Sequence, residues 1–410
     1  MKRINPHFGI GTIATHISNS DNPENAHISP IFQTSTYIFP NVNTAQEMFR
    51  GDKPGYIYTR WSNPNQTLLS TKIACLEGLE LLRAEAGKPA EQVVGGFVFS
   101  SGMAAITTSI LAKIKAGDSI VAQRAIYSGT FDFLKNIAPR YGINVLWVDD
   151  LIPEKWEDAA AQAENNILFI AETPANPLLS ICDLDAIAAI AHSHGGWLMV
   201  DNTFASPYCQ RPLNHGADIV VHSTTKYLSG HGLVIGGAVI SRHVDFLQER
   251  MTQIFRLLGG SASPFDCWLV DNGLKTFEVR MQRHCENAKQ VADYLVRHPK
   301  IEKVYYPGLE THPGYEIARR QMNEFGGMIS FALKDGYQAG VALMNNLKLI
   351  TLAVSLGTVD SLICHPASMT HANVPVDDRQ KMGISEGLIR FSVGIENIED
   401  ILADLEQGLS

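Results

Sequence analysis

Seven short runs that are apolar at almost every position constrain this chain most. They are Phe97-Val-Phe-Ser, Ser119-Ile-Val-Ala, Asn144-Val-Leu-Trp-Val, Ile167-Leu-Phe-Ile-Ala-Glu, Trp197-Leu-Met-Val-Asp, Asp218-Ile-Val-Val-His and Gly237-Ala-Val-Ile-Ser. A strand with one wet face alternates apolar and polar residues; one with no wet face does not. Longer amphipathic stretches, such as 103–115 and 184–194, separate the runs and have helical spacing. The pattern predicts an α/β fold with a mostly parallel seven-stranded sheet covered by helices on both faces. Ligands of such sheets bind beyond the carboxyl ends of the strands. Ser100, Glu172, Asp201 and His222 fall at those ends.

Past about residue 245 the pattern changes. Residues 266–298 read as one long or broken helix, and Gly326-Gly-Met-Ile-Ser-Phe-Ala-Leu and Leu388-Ile-Arg-Phe-Ser-Val read as strands of a smaller C-terminal α+β domain. Residues 1–62 are rich in Asn, Pro, Ser and Thr and read as an extended N-terminal arm. The expected division is an arm over 1–62, a large α/β domain over 63–256 and a C-terminal domain over 257–410. The polar, Glu-rich 79–96 segment reads as a surface excursion.

With 410 residues, 45% of them apolar, the chain can bury more than one core. A net charge of −9 argues against a general nucleic-acid binder. The segment Met1-Lys-Arg-Ile-Asn-Pro-His-Phe lacks the apolar stretch of a secretory signal, and no run of eighteen apolar residues occurs, so neither export nor a membrane span is expected. Cys75, Cys182, Cys209, Cys267, Cys285 and Cys364 form no Cys-x-x-Cys pair, and several sit in apolar runs; a reducing, cytoplasmic setting is expected.

The segment Asp218-Ile-Val-Val-His-Ser-Thr-Thr-Lys226 sets a single amine beside a buried strand. Such an amine is desolvated and nucleophilic. An isolated lysine is more often solvated, but the neighbours of this one change the balance. Ser223, Thr224 and Thr225 offer hydroxyl donors, and Ser101-Gly102-Met103 stands between a strand and a helix, where backbone amides bind anions. Asp201 ends a second buried strand. An amine for an aldehyde, an anion for a ring nitrogen and a phosphate cradle together fit pyridoxal 5'-phosphate (PLP). Tyr127 follows the 119–122 run and offers a ring to stack and a phenol for proton transfer, although a half-buried structural tyrosine fits equally well. Tyr58 and Arg60 lie in the arm, where arginine suits a phosphate. Arg390 interrupts an apolar strand, so it needs either an internal ion pair or a substrate carboxylate. His222, His231, His365 and His371 have no metal-ligand spacing, and no metal is expected. Gly230-His-Gly232-Leu-Val-Ile-Gly236 precedes a strand and so is not a dinucleotide fingerprint.

Five segments in order carry a family resemblance: Tyr-x-Tyr-x-Arg-x-x-Asn-Pro at 56–64, Ser-Ser-Gly-Met-Ala-Ala at 100–105, Glu-Thr-Pro-Ala-Asn-Pro at 172–177, Val-Asp-Asn-Thr-Phe-Ala-Ser-Pro at 200–207 and the Lys226 segment. Together they resemble the cysteine/methionine-metabolism family of PLP enzymes, from Pro30 to Glu396. The resemblance implies the aspartate-aminotransferase-like fold (fold type I). It implies that Lys226 takes the cofactor aldehyde and shuttles protons, and that Asp201 holds the pyridine nitrogen. Ser101, Gly102, Met103, Ser223 and Thr225 would cradle the phosphate, joined by Tyr58 and Arg60 of a neighbouring subunit. Tyr127 would stack on the ring and act as acid or base, while Asn176, Ser355 and Arg390 would meet the substrate carboxylate and the cofactor edge. A homotetramer of two active-site-sharing dimers is implied as well.

Within that family two positions point in different directions. Val354 stands where many cystathionine-handling members carry glutamate, and suits an uncharged thioether. Gly129 stands where methionine γ-lyases typically carry cysteine. Leu233 replaces a usual aspartate, and Asn65 a usual threonine. The expectation is a PLP-dependent C–S lyase that performs γ-elimination on a sulfur amino acid, methionine first and cystathionine second. Alternatives are γ-replacement, as in cystathionine γ-synthase or an acylhomoserine sulfhydrylase, and a PLP-binding homologue without chemistry.

Overall fold

The computed structural model describes residues 5, 7–17, 22 and 24–410. Its larger sheet contains β1 (Gly95–Phe99), β2 (Ser119–Gln123), β3 (Asn144–Val148), β4 (Ile167–Glu172), β5 (Trp197–Asp201), β6 (Ile219–Ser223) and β7 (Gly237–Ser241). Their order is β1-β7-β6-β5-β4-β2-β3. Strands β3, β2, β4, β5 and β6 are parallel; β7 is antiparallel to both β6 and β1. All strands but β7 therefore end on one edge, and that edge carries the reactive groups.

The wholly apolar runs are explained by two cores, one on each face. Along β4, Leu168 and Ile170 enter one core while Phe169 and Ala171 enter the other. Helices Pro64–Glu77 and Leu184–Ser193 cover the first face, and helices Gly102–Lys113 and Thr252–Leu258 the second. Each buried aliphatic side chain contributes about 1.5–3 kcal/mol relative to exposure.

A five-stranded sheet contains β8 (Ile301–Tyr305), β9 (Met328–Leu333), β10 (Thr351–Leu352), β11 (Leu362–Cys364) and β12 (Leu388–Ser392), in the order β10-β11-β12-β9-β8. Ile329, Phe331, Ile389 and Phe391 face helices Phe277–Arg297, Gly336–Asn346 and Ile398–Leu409 in a third core. The 266–298 stretch is broken: helix Pro264–Leu274 ends before helix Phe277–Arg297 begins.

Two expectations need correction. The 79–96 segment is not a surface excursion throughout. It holds helix Leu79–Ala84 and the start of β1, and Leu79, Leu82, Val93 and Val94 are buried, while Gly87, Lys88 and Pro89 are exposed. Its apolar residues are too sparse to show a period, yet helix Pro64–Glu77 and β1 recruit them into the core beside them. The stretch 1–62, part of which lies outside the described residues, is not extended throughout. Helix Val42–Arg50 forms in it, capped by the Asn41 side chain on the Thr44 amide and ended by left-handed Gly51. Asn65 ties the arm down: its Oδ1 accepts from the Phe32 amide and its Nδ2 donates to the Pro30 carbonyl, each at 2.8 Å.

Candidate active site

A cavity of about 430 Å³ opens at the shared carboxyl edge of the larger sheet. Loops after β1, β2, β4, β5 and β6 reach it, and the smaller sheet contributes Arg390 from β12 and Val354 and Ser355 from the loop after β10. Ser101, Gly102, Met103, Tyr127, Asn176, Asp201, Ser223, Thr225, Lys226, Val354, Ser355 and Arg390, twelve of the fourteen site residues expected from sequence, line this one cavity. Tyr58 and Arg60 do not: the Arg60 guanidinium donates to the Arg256 carbonyl of its own chain, and Tyr58 is largely exposed. A second cavity, about 460 Å³ behind β1, is lined by Trp61, Phe97, Leu247 and Phe255 among others and by no cationic side chain.

Lys226 sits one turn past β6. Its Nζ donates to Ser355 Oγ at 2.8 Å. Burial, and secondarily the Arg390 charge, hold its pKa down at about 8. Ser355 has φ +91°, a strained value for a non-glycine residue, and its carbonyl accepts from Arg390 Nη2 at 2.9 Å. Arg390 is only 4% exposed, and its Nη1 donates to Asn176 Oδ1 at 2.9 Å. Among the described residues it has no ion pair, so this buried guanidinium keeps an unneutralised charge at the cavity wall.

Asp201 is 8% exposed and ends β5. Its Oδ1 accepts from the Thr203 amide at 3.0 Å and from Thr203 Oγ1 at 2.5 Å; Oδ2 has no partner among the described residues. Burial raises its pKa, while the two Thr203 donors and His222 oppose the shift. A buried carboxylate with a spare oxygen at a cavity wall suits a cationic donor such as a protonated pyridine nitrogen.

Helix Gly102–Lys113 begins at the same cavity, capped by Ser101 Oγ on the Ala104 amide at 3.1 Å. A Cβ on Gly102 would stand 3.0 Å from Ser223 Cβ, so glycine lets the helix start approach the Ser223 turn. Ser223 Oγ has no partner among the described residues, whereas Thr225 Oγ1 accepts from the Gly236 amide at 3.0 Å. Helix-start amides, a spare hydroxyl, a desolvated amine and a half-satisfied carboxylate around one cavity fit PLP.

Tyr127 precedes the short helix Ser128–Asp132. Its phenol pKa is raised, by burial first and then by the Glu172 and Asp201 carboxylates, which keeps the phenol protonated at neutral pH. A Cβ on Gly129 would stand 2.7 Å from Tyr127 Cε1 and 3.0 Å from Met103 Sδ, so the missing side chain at 129 leaves room for the ring.

Sequence reasoning assigned no role to several residues of this wall. Glu172 ends β4 as Asp201 ends β5, and its charge after an apolar run was the available signal. Thr203 holds Asp201. Ile235, Leu356, Phe204 and Thr370 line the cavity from separate loops and carry no local signal. Leu233 does not line it and is largely exposed; Ile235, two residues on, takes a place in the wall. The histidines considered for metal have other partners: His222 Nε2 meets Glu77 Oε1 at 2.5 Å, His231 Nδ1 the Ser229 carbonyl, His365 Nε2 the Glu386 carbonyl and His371 Nδ1 Thr370 Oγ1. All six cysteines are buried free thiols. No helix among the described residues is long and apolar enough to cross a membrane.

The chain is similar over nearly its whole length to known proteins. The chain is 48% identical to an L-methionine gamma-lyase of Fusobacterium nucleatum over 402 residues, covering 98% of each. It is 47% identical to the L-methionine gamma-lyase of Porphyromonas gingivalis over 98% of this chain and 97% of that one. Among solved structures, a cystathionine gamma synthase from Xanthomonas oryzae pv. oryzae, in complex with aminoacrylate and cysteine, superposes with a TM-score of 0.90 at 39% identity, with 98% of each chain covered. The sequence profile of the Cys/Met metabolism PLP-dependent enzymes matches residues 11–410, and the chain belongs to that family of PLP-dependent enzymes.

Proposed function

We propose that this protein is an L-methionine γ-lyase, which with water converts methionine to methanethiol, 2-oxobutanoate and ammonia. The observation that carries the reading is the pairing of two walls. Arg390 offers an unneutralised guanidinium beside Asn176, which suits an amino-acid carboxylate. Val354, Ile235 and Leu356 supply apolar lining and no second charge for a distal amino-acid group. An uncharged thioether fits that division better than cystathionine. The two methionine γ-lyases at 47–48% identity support it.

The residues divide the work. When bound, the cofactor supplies an electron sink for charge developing at the substrate carbons. Asp201 Oδ2 would hold the ring nitrogen protonated. The amides that open helix Gly102–Lys113, Met103 among them, would hold the phosphate with Ser101, Ser223 and Thr225. Lys226 would hold the cofactor through its aldehyde, and its amine, placed by Ser355 and with its pKa held down at about 8, would serve as the base for the substrate's α-proton. Tyr127 keeps its phenolic proton for the departing sulfur. Tyr58 and Arg60, outside their own chain's cavity, serve the phosphate of a neighbouring subunit. The working assembly is a dimer through the 1–62 arm, paired into a tetramer, with a large domain over 63–256 and a C-terminal domain over 257–410, acting in the cytoplasm.

Purified enzyme given methionine alone should release methanethiol and 2-oxobutanoate. Turnover only with an acylated homoserine plus a thiol would replace this reading by γ-replacement. Gly129 and the cystathionine γ-synthase structure favour a second reading, with cystathionine as substrate, so the assay includes cystathionine as a parallel arm.

A further inference from the structure

We propose that Glu172 is the positioning residue that holds the Tyr127 phenol and the Asn176–Arg390 pair in register across the cavity. The proposal rests on the roles given above to Tyr127 and Asn176. Neither residue stands in a strand or inside a helix: Tyr127 ends the loop after β2, and Asn176 lies in the loop after β4. One buried carboxylate bridges both. Glu172 Oε2 accepts from the Tyr127 amide at 2.7 Å, and Oε1 accepts from the Asn176 amide at 2.8 Å. The backbone of Glu172 is itself clamped. Its amide donates to Gln123 Oε1 and its carbonyl accepts from Gln123 Nε2, both at 3.0 Å, so a side chain of β2 fixes the end of β4.

The contacts continue around the cavity without a break. Asn176 Oδ1 receives Arg390 Nη1, Arg390 Nη2 donates to the Ser355 carbonyl, and Ser355 Oγ receives Lys226 Nζ. Glu172 thus links the proposed proton donor to the carboxylate-binding pair and, through it, to the lysine. A buried carboxyl is costly to keep unless its hydrogen bonds are made. Burial first, and then the Asp201 charge, raise its pKa, while the two amide donors and Arg390 favour the anion that accepts from both loops. In the observed geometry each amide addresses its own oxygen, which a carboxylate offers and a primary amide or a hydroxyl does not.

The test is Glu172→Gln in the holoenzyme. A glutamine side chain puts an NH2 donor where one of the two backbone amides now finds an oxygen, so that loop is released. The expected result is unchanged cofactor absorbance with a ~10- to 100-fold fall in kcat/KM for methionine, the scale of a misplaced catalytic group. In a double-mutant cycle with Tyr127→Phe, the two losses should combine to less than their product, because part of the effect of Glu172 passes through Tyr127. Amide exchange in segments 124–132 and 173–182 should rise in Glu172→Gln. Unchanged kcat/KM with only a lower Tm, or fully multiplicative losses, overturns the proposal. Glu172→Asp keeps the anion on a stem too short for both amides; it should lose activity in the same cycle, and full activity there also overturns the proposal. If wild-type enzyme leaves methionine intact, the substrate reading fails, and the exchange comparison still decides the role of Glu172.

Discussion

A lysine that must attack an aldehyde near neutral pH has to be partly neutral there, and the surroundings of Lys226 set how much. An ordinary lysine titrates at 10.5; burial and the nearby Arg390 bring Lys226 down to about 8. At pH ~7.5 about a quarter of the amine is then neutral, against ~0.1% for an ordinary lysine, a gain of ~200-fold in nucleophile. The same shift corresponds to ~3 kcal/mol of penalty on the protonated form. The sign follows. The unfolded chain binds more protons than the folded one between pH about 8 and 10.5, so this group's contribution to stability rises with pH across that window. The assay is competitive acetylation of cofactor-free protein against pH, followed on the Lys226 peptide by mass spectrometry. Labelling should rise to a midpoint near 8 and then level off. Arg390→Gln removes the smaller of the two causes and should move the midpoint upward by only part of the difference, leaving burial in charge. A wild-type midpoint near 10.5, or one that returns there in Arg390→Gln, refutes the reasoning.

Three further outcomes are expected. Gly129→Cys puts a Cβ at 2.7 Å from the Tyr127 ring and 3.0 Å from Met103 Sδ; overpacking of this kind costs ~1–3 kcal/mol, and the displaced phenol should lower kcat more than it raises KM in steady-state kinetics with methionine. Asp201→Asn keeps an oxygen for the Thr203 donors but loses the charge on Oδ2; removing a charged hydrogen bond worth ~1.5–3 kcal/mol should weaken PLP binding ~10- to 100-fold, read by absorbance titration. Asp271→Ala strips the carboxylate that pairs at 2.5 Å with the fully buried ammonium of Lys72; an uncompensated buried charge costs ~3–5 kcal/mol, which chemical denaturation will measure, and a loss below ~1 kcal/mol would mean that Lys72 reaches another partner or sheds its proton.

The larger sheet was legible because its strands are local statements. A run such as Ile167–Glu172 has no polar face in any register, so it requires cover on both sides, and two separate cores supply it. Lys226 and Asp201 were legible for a related reason: a charge placed directly after an apolar run marks the carboxyl end of a buried strand. Glu172 carried the same mark, but what it does was not visible, because its acceptors meet amides 45 and 4 residues away along the chain. The 79–96 segment misled because its four buried apolar residues have no period; their burial depends on neighbours already in place.

The sequence alone determined the α/β class, the family, the cofactor and the twelve residues that converge on one cavity, because strand burial and strand ends follow from local patterns of residues. Tertiary structure alone decided what joins them. The distance from Lys226 to Ser355, the exclusion of Tyr58 and Arg60 from their own chain's cavity, the space at Gly129 and the bridge at Glu172 depend on loops brought together from far along the chain. No pattern of nearby residues encodes such contacts, which arise only when two sheets and their connecting loops close around one volume.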